Sequence, residues 1–440
     1  MTNETTVPAG HPNVAWDLDN GHHLRSYGEL EEVLRRTRDF SIQATKRESL
    51  EFTEGTLVAL DGRPHLNRRK ALTRMLSPKM PWGAEGRAFD EAFDHYMKLT
   101  IESAAPGATE VRFDMLAFAA GVYWRLMAGM IGIDQVETEE DIEQFRELAG
   151  AVVTGLSIEY APEAEKDALL VKARAAVARL RETAYVPSFE RRLRLVRDAV
   201  GDVEKKNALP GDLITSLLAV QEDLANIDDT LIFREMVELM AGSVNNPVAM
   251  AAYALDDIVP WLDQHPEARA KLGDRAFLNA AVAESLRLHR ATRPYLARVA
   301  QTDIVLTSGR EIKKGEWVYG WLGASDRDPE VFGSDRDEYK PGRNVDDEKV
   351  PSWGLAFGAG SHLCLGRPIL VWDQGGNDAQ GVLVKMLRKQ LEHGIKPDPN
   401  GIQEEFTGPE GGTRYIRYDV VMPLESAEEE TEFPDDAGNA

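Results

Sequence analysis

The chain is short of cysteine, of positive charge and of long apolar runs, and each shortage removes a class of protein. One cysteine in 440 residues leaves no intrachain disulfide, so the framework cannot depend on an oxidising compartment. With 51 Lys and Arg against 74 Asp and Glu, the net charge of −23 argues against general affinity for nucleic acid or an anionic membrane surface. The N-terminus has neither the basic nor the apolar region of a secretory signal, and its first Lys or Arg is Arg25. A cytoplasmic location is therefore expected. The one stretch long enough to suggest a membrane span, Met115 to Ile133, carries Arg125 in its middle, three glycines, and Asp114 and Asp134 at its ends. A central arginine is costly in lipid, so a buried core helix is expected there, and no membrane partner.

Apolar residues at three-to-four spacing predict helices over much of the chain up to about residue 292: Tyr27, Leu30, Val33 and Leu34 in one segment, Phe89, Phe93, Tyr96 and Met97 in another. Further helices are expected over 144–153, 161–184, 186–203, 213–221 and 276–288. The stretch 230–264 contains Pro247 and Pro260, so its helix should kink or end early. After Pro294 the texture changes. Residues 297–306 and 316–321 read as strands, with Ser308-Gly309 and Lys313-Lys314-Gly315 as turns. The fold class expected is mainly α with a small β-rich part. One domain should span 26–424, after a segment 1–25 and before a tail, 425–440, whose seven acidic side chains have little to bury.

The single cysteine lies in Phe357-Gly358-Ala359-Gly360-Ser361-His362-Leu363-Cys364-Leu365-Gly366. Glycines on both sides leave its sulfur beside backbone N–H groups that can bond a thiolate. The spacing Phe-x-x-Gly-x-His-x-Cys-x-Gly resembles the haem-binding loop of the cytochrome P450 monooxygenases, bacterial soluble type. That resemblance implies the P450 fold, haem b bound through Cys364, and contacts to the haem from Phe357 and Gly366. His65 and Arg69, four apart, are similar to the family's His-x-x-x-Arg contact to a haem propionate, and Arg298 and His362 stand at matching positions. Glu284 and Arg287 resemble the family's Glu-x-x-Arg pair, with Arg343 as the arginine that joins it; these three would be structural.

The resemblance also implies an O₂-dependent monooxygenase acting on a small-to-medium organic molecule, by hydroxylation or O-dealkylation. Electrons would come from a separate ferredoxin and its NAD(P)H-dependent reductase. Between Asp61 and Glu85 there is no acid, while Arg63, Arg68, Arg69, Lys70, Arg74 and Lys79 all lie there. This local reversal of charge suits an acidic ferredoxin, and equally a merely solvated face.

Ala241-Gly242-Ser243-Val244-Asn245-Asn246-Pro247 is similar to the family's Ala-Gly-x-acid-Thr, yet valine replaces the acid and asparagine the threonine. The usual means of delivering protons to dioxygen is thus missing. Asn245 and Asn246 are the catalytic candidates, by holding a water or by merely capping a helix break. Met240, Ala241, Val244, Tyr295 and Leu296 are the candidate pocket residues. The glycine-rich stretch 373–378 should interrupt the helix that follows Cys364. Two other readings stay open: a haem enzyme of peroxide-using, reductive or dehydrating chemistry, and a non-catalytic haem sensor.

Overall fold

The computed structural model describes residues 20–46, 49–158, 161–221, 227–289, 294–345, 347–372, 379–407 and 413–424. The acidic tail and the glycine-rich stretch 373–378 lie outside the described residues. Helices form the body. Tyr27–Arg35 starts where the Ser26 hydroxyl accepts from the Glu29 N–H, and it buries Tyr27, Leu30, Val33 and Leu34, the four residues of its apolar spacing. Glu139–Leu156 starts on a reciprocal capping box between Thr138 and Asp141.

Met115–Ile131 is apolar on nearly all sides because it is the centre of the core. Asp114 caps it, and Gly132, at φ 91°, ends it. A Cβ at Gly132 would meet Arg192 Nε at 2.5 Å, so that corner needs glycine twice over. Arg125 emerges from this helix to pair with Glu139 at 2.6 Å. Among the described residues, no helix is long and apolar enough to cross a membrane. Met115–Ile131 packs with Asn245–Gln264, which in turn contacts Arg275–Leu288 and Val382–Glu392. Each large apolar side chain buried between them contributes roughly 1.5–3 kcal/mol.

Among the described residues ten strands accompany this body: β1 (His22–Leu24), β2 (Phe40–Ser41), β3 (Glu110–Asp114), β4 (Tyr295–Ala300), β5 (Ile304–Val305), β6 (Glu311–Ile312), β7 (Trp317–Trp321), β8 (Lys396–Pro397), β9 (Gln403–Thr407) and β10 (Thr413–Pro423). One sheet has the order β1-β7-β4-β2, with β1 parallel to β7 and the other pairs antiparallel. Among the described residues a strand therefore precedes Ser26: β1 pairs with the β7 edge. A second sheet places β10 between β3 and β8, with β9 also on β10. Gly309 and Gly315, at φ 88°, make the turns between β5 and β6 and before β7.

The stretch from residue 229 is two helices, Asp229–Ser243 and Asn245–Gln264, broken at Val244. Pro247 has no N–H to give the Ser243 carbonyl, and the Asn246 side-chain amide donates to the Gly242 carbonyl at 3.1 Å. Beyond Cys364, a four-residue helix, Arg367–Leu370, is separate from Val382–Glu392.

Candidate functional site

The loop from Gly358 to Gly366 is built to present a sulfur. Gly360 has φ 70°, and a Cβ there would meet the Leu34 carbonyl oxygen at 2.5 Å. The loop can therefore lie directly on the end of the Tyr27–Arg35 helix only with glycine at that position. The Cys364 N–H donates to the Phe357 carbonyl at 2.9 Å, closing the loop on itself. Cys364 is half-buried and opens on a cavity of about 430 Å³. Burial pushes its thiol up, while the Gly366 and Arg367 N–H groups and the guanidinium groups of Arg69 and Arg367 pull the other way, toward thiolate.

Around the same cavity stand four groups that suit anions. His65, Arg69, Arg298 and His362 all line it. The rings of His65 and His362 lie 4.0 Å apart, and His65 Nδ1 is buried with no hydrogen-bond partner among the described residues. Burial, with His362 and Arg69 nearby, lowers His65 to about 4, so its ring is neutral at pH 7. Arg298 is 5% exposed, and burial lowers it to about 10. Its guanidinium reaches the Ala297 carbonyl at 2.7 Å. A buried cation and an orphaned imidazole nitrogen facing one cavity call for an acidic ligand there. This set fits haem: sulfur for iron, and two guanidinium and two imidazole groups for two carboxylates.

Asp61 is a member of this cluster that sequence reasoning missed. Its Oδ1 lies 3.3 Å from His362 Nε2, and it accepts from the Ser41 hydroxyl. Burial raises Asp61, but His362, Ser41 and the Gln43 and Ile42 N–H groups outweigh it and hold the carboxyl below its usual range. An acid flanking a cluster of bases carries no signal in sequence until the fold brings residues 61 and 362 together.

The broken helix forms the facing wall. Glu235, Glu238, Leu239, Gly242, Ser243, Asn246 and Met250 share its cavity face, as the helical period requires. Asn246 is therefore at the cavity, whereas Asn245, one step round the helix, is exposed and off its walls. Met240 and Val244, each 1% exposed, are packed into the helical core, and Ala241 packs against that core. On β4 the alternation of a strand decides the same way: Leu296 and Arg298 line the cavity, while Tyr295 turns into an aromatic cluster with Trp317 and Tyr319. Phe357 and Gly366 also line the cavity.

Glu235 and Glu238 are two further cavity residues absent from the sequence-based candidates, although acids set among Met236, Val237, Leu239 and Met240 are a signal in themselves. Glu235 is buried and ion-paired with Arg68, itself buried. Burial pushes Glu235 up to about 7 against the opposing pull of Arg68. A raised carboxyl contributes stability that is full below its ordinary value and lost as pH rises through the folded value. Glu235→Gln is therefore expected to flatten the fall in melting temperature between pH 4.5 and about 7 relative to the unsubstituted protein. Parallel melting curves for the two proteins over that interval would refute the assignment.

Behind the cysteine loop, Arg287 donates to both Glu284 oxygens at 2.8 Å, and Arg343 Nε donates to Glu284 Oε1 at 2.9 Å. All three are 5% exposed or less as side chains. Arg287 also donates to the Asp326 carbonyl, and the Asp326 carboxylate accepts from the Leu355 N–H at 2.7 Å, two residues before Phe357. The triad is thereby tied to the start of the cysteine loop.

A family profile described as Cytochrome P450 matches residues 254–369. The chain is 25% identical over 367 residues to the biotin biosynthesis cytochrome P450 of Bacillus subtilis (strain 168), covering 79% of each. It is 27% identical over 353 residues to the erythromycin C-12 hydroxylase of Saccharopolyspora erythraea, covering 79% of this chain and 77% of that one. Among solved structures, one described among unusual cytochrome p450-like monooxygenases of microbial secondary metabolism matches with a TM-score of 0.67 at 19% identity. That match covers 94% of this chain and 96% of the other, and it is a likeness of fold.

Proposed function

The chain belongs to the cytochrome P450 family of haem-thiolate monooxygenases, and from that premise we propose that Cys364 is the iron ligand and that the cavity beside the broken helix holds an organic substrate. Haem, when bound, supplies the activation of O₂ and the insertion of one oxygen atom. The observation that carries the reading is the convergence of Cys364, Arg69, Arg298, His65 and His362 on one cavity. The chain's own part is to hold the sulfur as thiolate through two backbone N–H groups, to neutralise the acidic edge of the ring, and to exclude water with an apolar wall. Hydroxylation of a small-to-medium substrate is the proposed reaction, in keeping with the hydroxylase named among the relatives.

Proton delivery falls to Asn246. Its amide is anchored on the Gly242 carbonyl, which fixes its carbonyl end as an acceptor for a water at the break, where the Ser243 carbonyl lacks a helical donor. In turnover supported by a ferredoxin, its reductase and NAD(P)H, Asn246→Ala is expected to lower product formed per NAD(P)H consumed by about a hundredfold, the lower end of a lost proton-transfer contribution. Asn245→Ala, altering an exposed side chain, should leave that ratio unchanged. Equal coupling in all three proteins would remove Asn246 from the route. The buried Val244 and exposed Asn245 also favour a second reading, peroxide-driven oxygenation, which would proceed without any reductase.

The docking face for a ferredoxin is smaller than the basic run suggests. Arg68 is committed to Glu235, Arg69 lines the cavity, and Arg74 donates to the Leu209 carbonyl at 2.6 Å. Arg63, Lys70 and Lys79 are exposed and supply the proposed contact with an acidic partner, in the cytoplasm.

A further inference from the structure

Asp61 stands immediately before the Gly62–Ala71 helix, in the extended conformation of a capping residue, at φ −119° and ψ 162°. An aspartate there ordinarily turns its carboxylate onto the first N–H groups of the helix. This one makes no such bond. Its carboxylate turns toward the haem site, where it accepts from the Ser41 hydroxyl, from the Ile42 N–H at 3.3 Å and from the Gln43 N–H at 3.2 Å, and lies 3.3 Å from His362 Nε2. The helix goes without its cap, and an anion stands beside the cavity instead.

That anion works against the task of its neighbours. His65, Arg69, Arg298 and His362 suit the two haem carboxylates, and a third carboxylate among them competes for the same donors. Its field reaches beyond His362: burial lowers both Arg298 and His65, and Asp61 pulls each back toward its charged form. Anchoring residues 41–43 does not require the charge. The Ser41 hydroxyl and the two N–H groups are neutral donors, and an amide oxygen accepts from such donors as well. What the carboxylate alone supplies is a fixed negative charge in the surroundings of the haem.

Resting on the haem-pocket reading above, we infer that Asp61 sets the charge of the haem site and holds bound haem in its ferric state against reduction. One electron from an external donor converts ferric to ferrous haem, and the site gains one negative charge. A fixed anion nearby makes that gain more costly, because like charges repel most strongly where water is excluded. The guanidinium groups of Arg69 and Arg298 act the other way, so the balance between them and Asp61 decides how readily an electron enters.

The test is the equilibrium reduction of haem-loaded protein, titrated with dithionite and mediator dyes and followed by absorption, for the unsubstituted protein, Asp61→Asn, Asp61→Glu and Ser41→Ala. At a fixed solution potential, Asp61→Asn is expected to raise the ferrous-to-ferric ratio at least about threefold. Asp61→Glu keeps the charge and should stay near the unsubstituted ratio. Ser41→Ala loosens the hold on residues 41–43 while the carboxylate remains; it should lower the melting temperature and leave the ratio unchanged. An unchanged ratio in Asp61→Asn, or an equal shift in Asp61→Glu or Ser41→Ala, overturns the inference and leaves the haem pocket standing. Loss of haem from Asp61→Asn overturns it too, since the carboxylate would then hold the site together rather than set its charge. An unsubstituted protein that takes up no haem overturns the pocket reading itself.

Discussion

Cys364→Ser is expected to eliminate the thiolate-type absorption of the reduced carbon monoxide complex and to reduce oxygenation to background. Serine keeps the size and the loop: its N–H can still donate to the Phe357 carbonyl, as Cys364 does at 2.9 Å. What it loses is a ligand that can be held anionic at neutral pH. Burial raises the Cys364 thiol, but the Gly366 and Arg367 N–H groups, with Arg69 and Arg367, pull toward thiolate, and bonding to iron would supply the rest. A hydroxyl starts from a far higher pKa and cannot be brought to an anion by the same donors. The electron density that a thiolate pushes onto iron, which favours O–O cleavage, is then absent. Haem itself should still be taken up in part, because Arg69, Arg298, His65 and His362 are untouched. Retention of the thiolate spectrum in this variant would refute Cys364 as the ligand.

The second large effect is expected at a residue that touches neither haem nor substrate. Glu284→Ala removes the acceptor of three hydrogen bonds from Arg287 and Arg343 and of one from the Lys340 N–H. Both guanidinium groups would be left buried, with side chains 0% and 5% exposed. Leaving a buried charge without its partner costs about 3–5 kcal/mol, much of the stability of a typical domain. Denaturant midpoints should fall accordingly, and haem retention with them, because Arg287 also holds the Asp326 carbonyl whose side chain fixes Leu355. Arg287→Lys alone should also lower the midpoint, since a point charge cannot serve both Glu284 oxygens and the Asp326 and Arg336 carbonyls at once. A Glu284→Ala protein with an unchanged midpoint would show that the triad does not brace the loop.

The glycine at 360 illustrates how such bracing reaches the first helix. The loop can approach Leu34 and Arg35 because no side chain intervenes, which makes the Tyr27–Arg35 helix a support of the cysteine loop from more than three hundred residues away. The aromatic contact between Trp353 and Phe357, and Arg367 stacked over Trp353 at 5.6 Å, close the other side.

The sequence by itself determined what short-range chemistry can state. The cysteine loop is legible because its glycines, histidine and cysteine lie within ten residues, so their relation survives whatever the rest of the chain does. Glu284 and Arg287 are legible as a pair because three residues on a helix make neighbours. The break in the long helix follows from Pro247, which removes a donor wherever it stands.

Tertiary structure decided which of two adjacent residues faces the cavity, since that depends on how a helix or strand is rotated by its packing. Asn246 and not Asn245, and Leu296 and not Tyr295, reach the wall because one residue turns a helix by about 100° and flips a strand. It also decided that half of the basic run is committed internally, that Tyr123, Glu235 and Glu238 stand around one cavity, and that Asp61 reaches His362 on its wall. Periodicity fixes which residues share a face. Only the packing of one element on another fixes what that face meets.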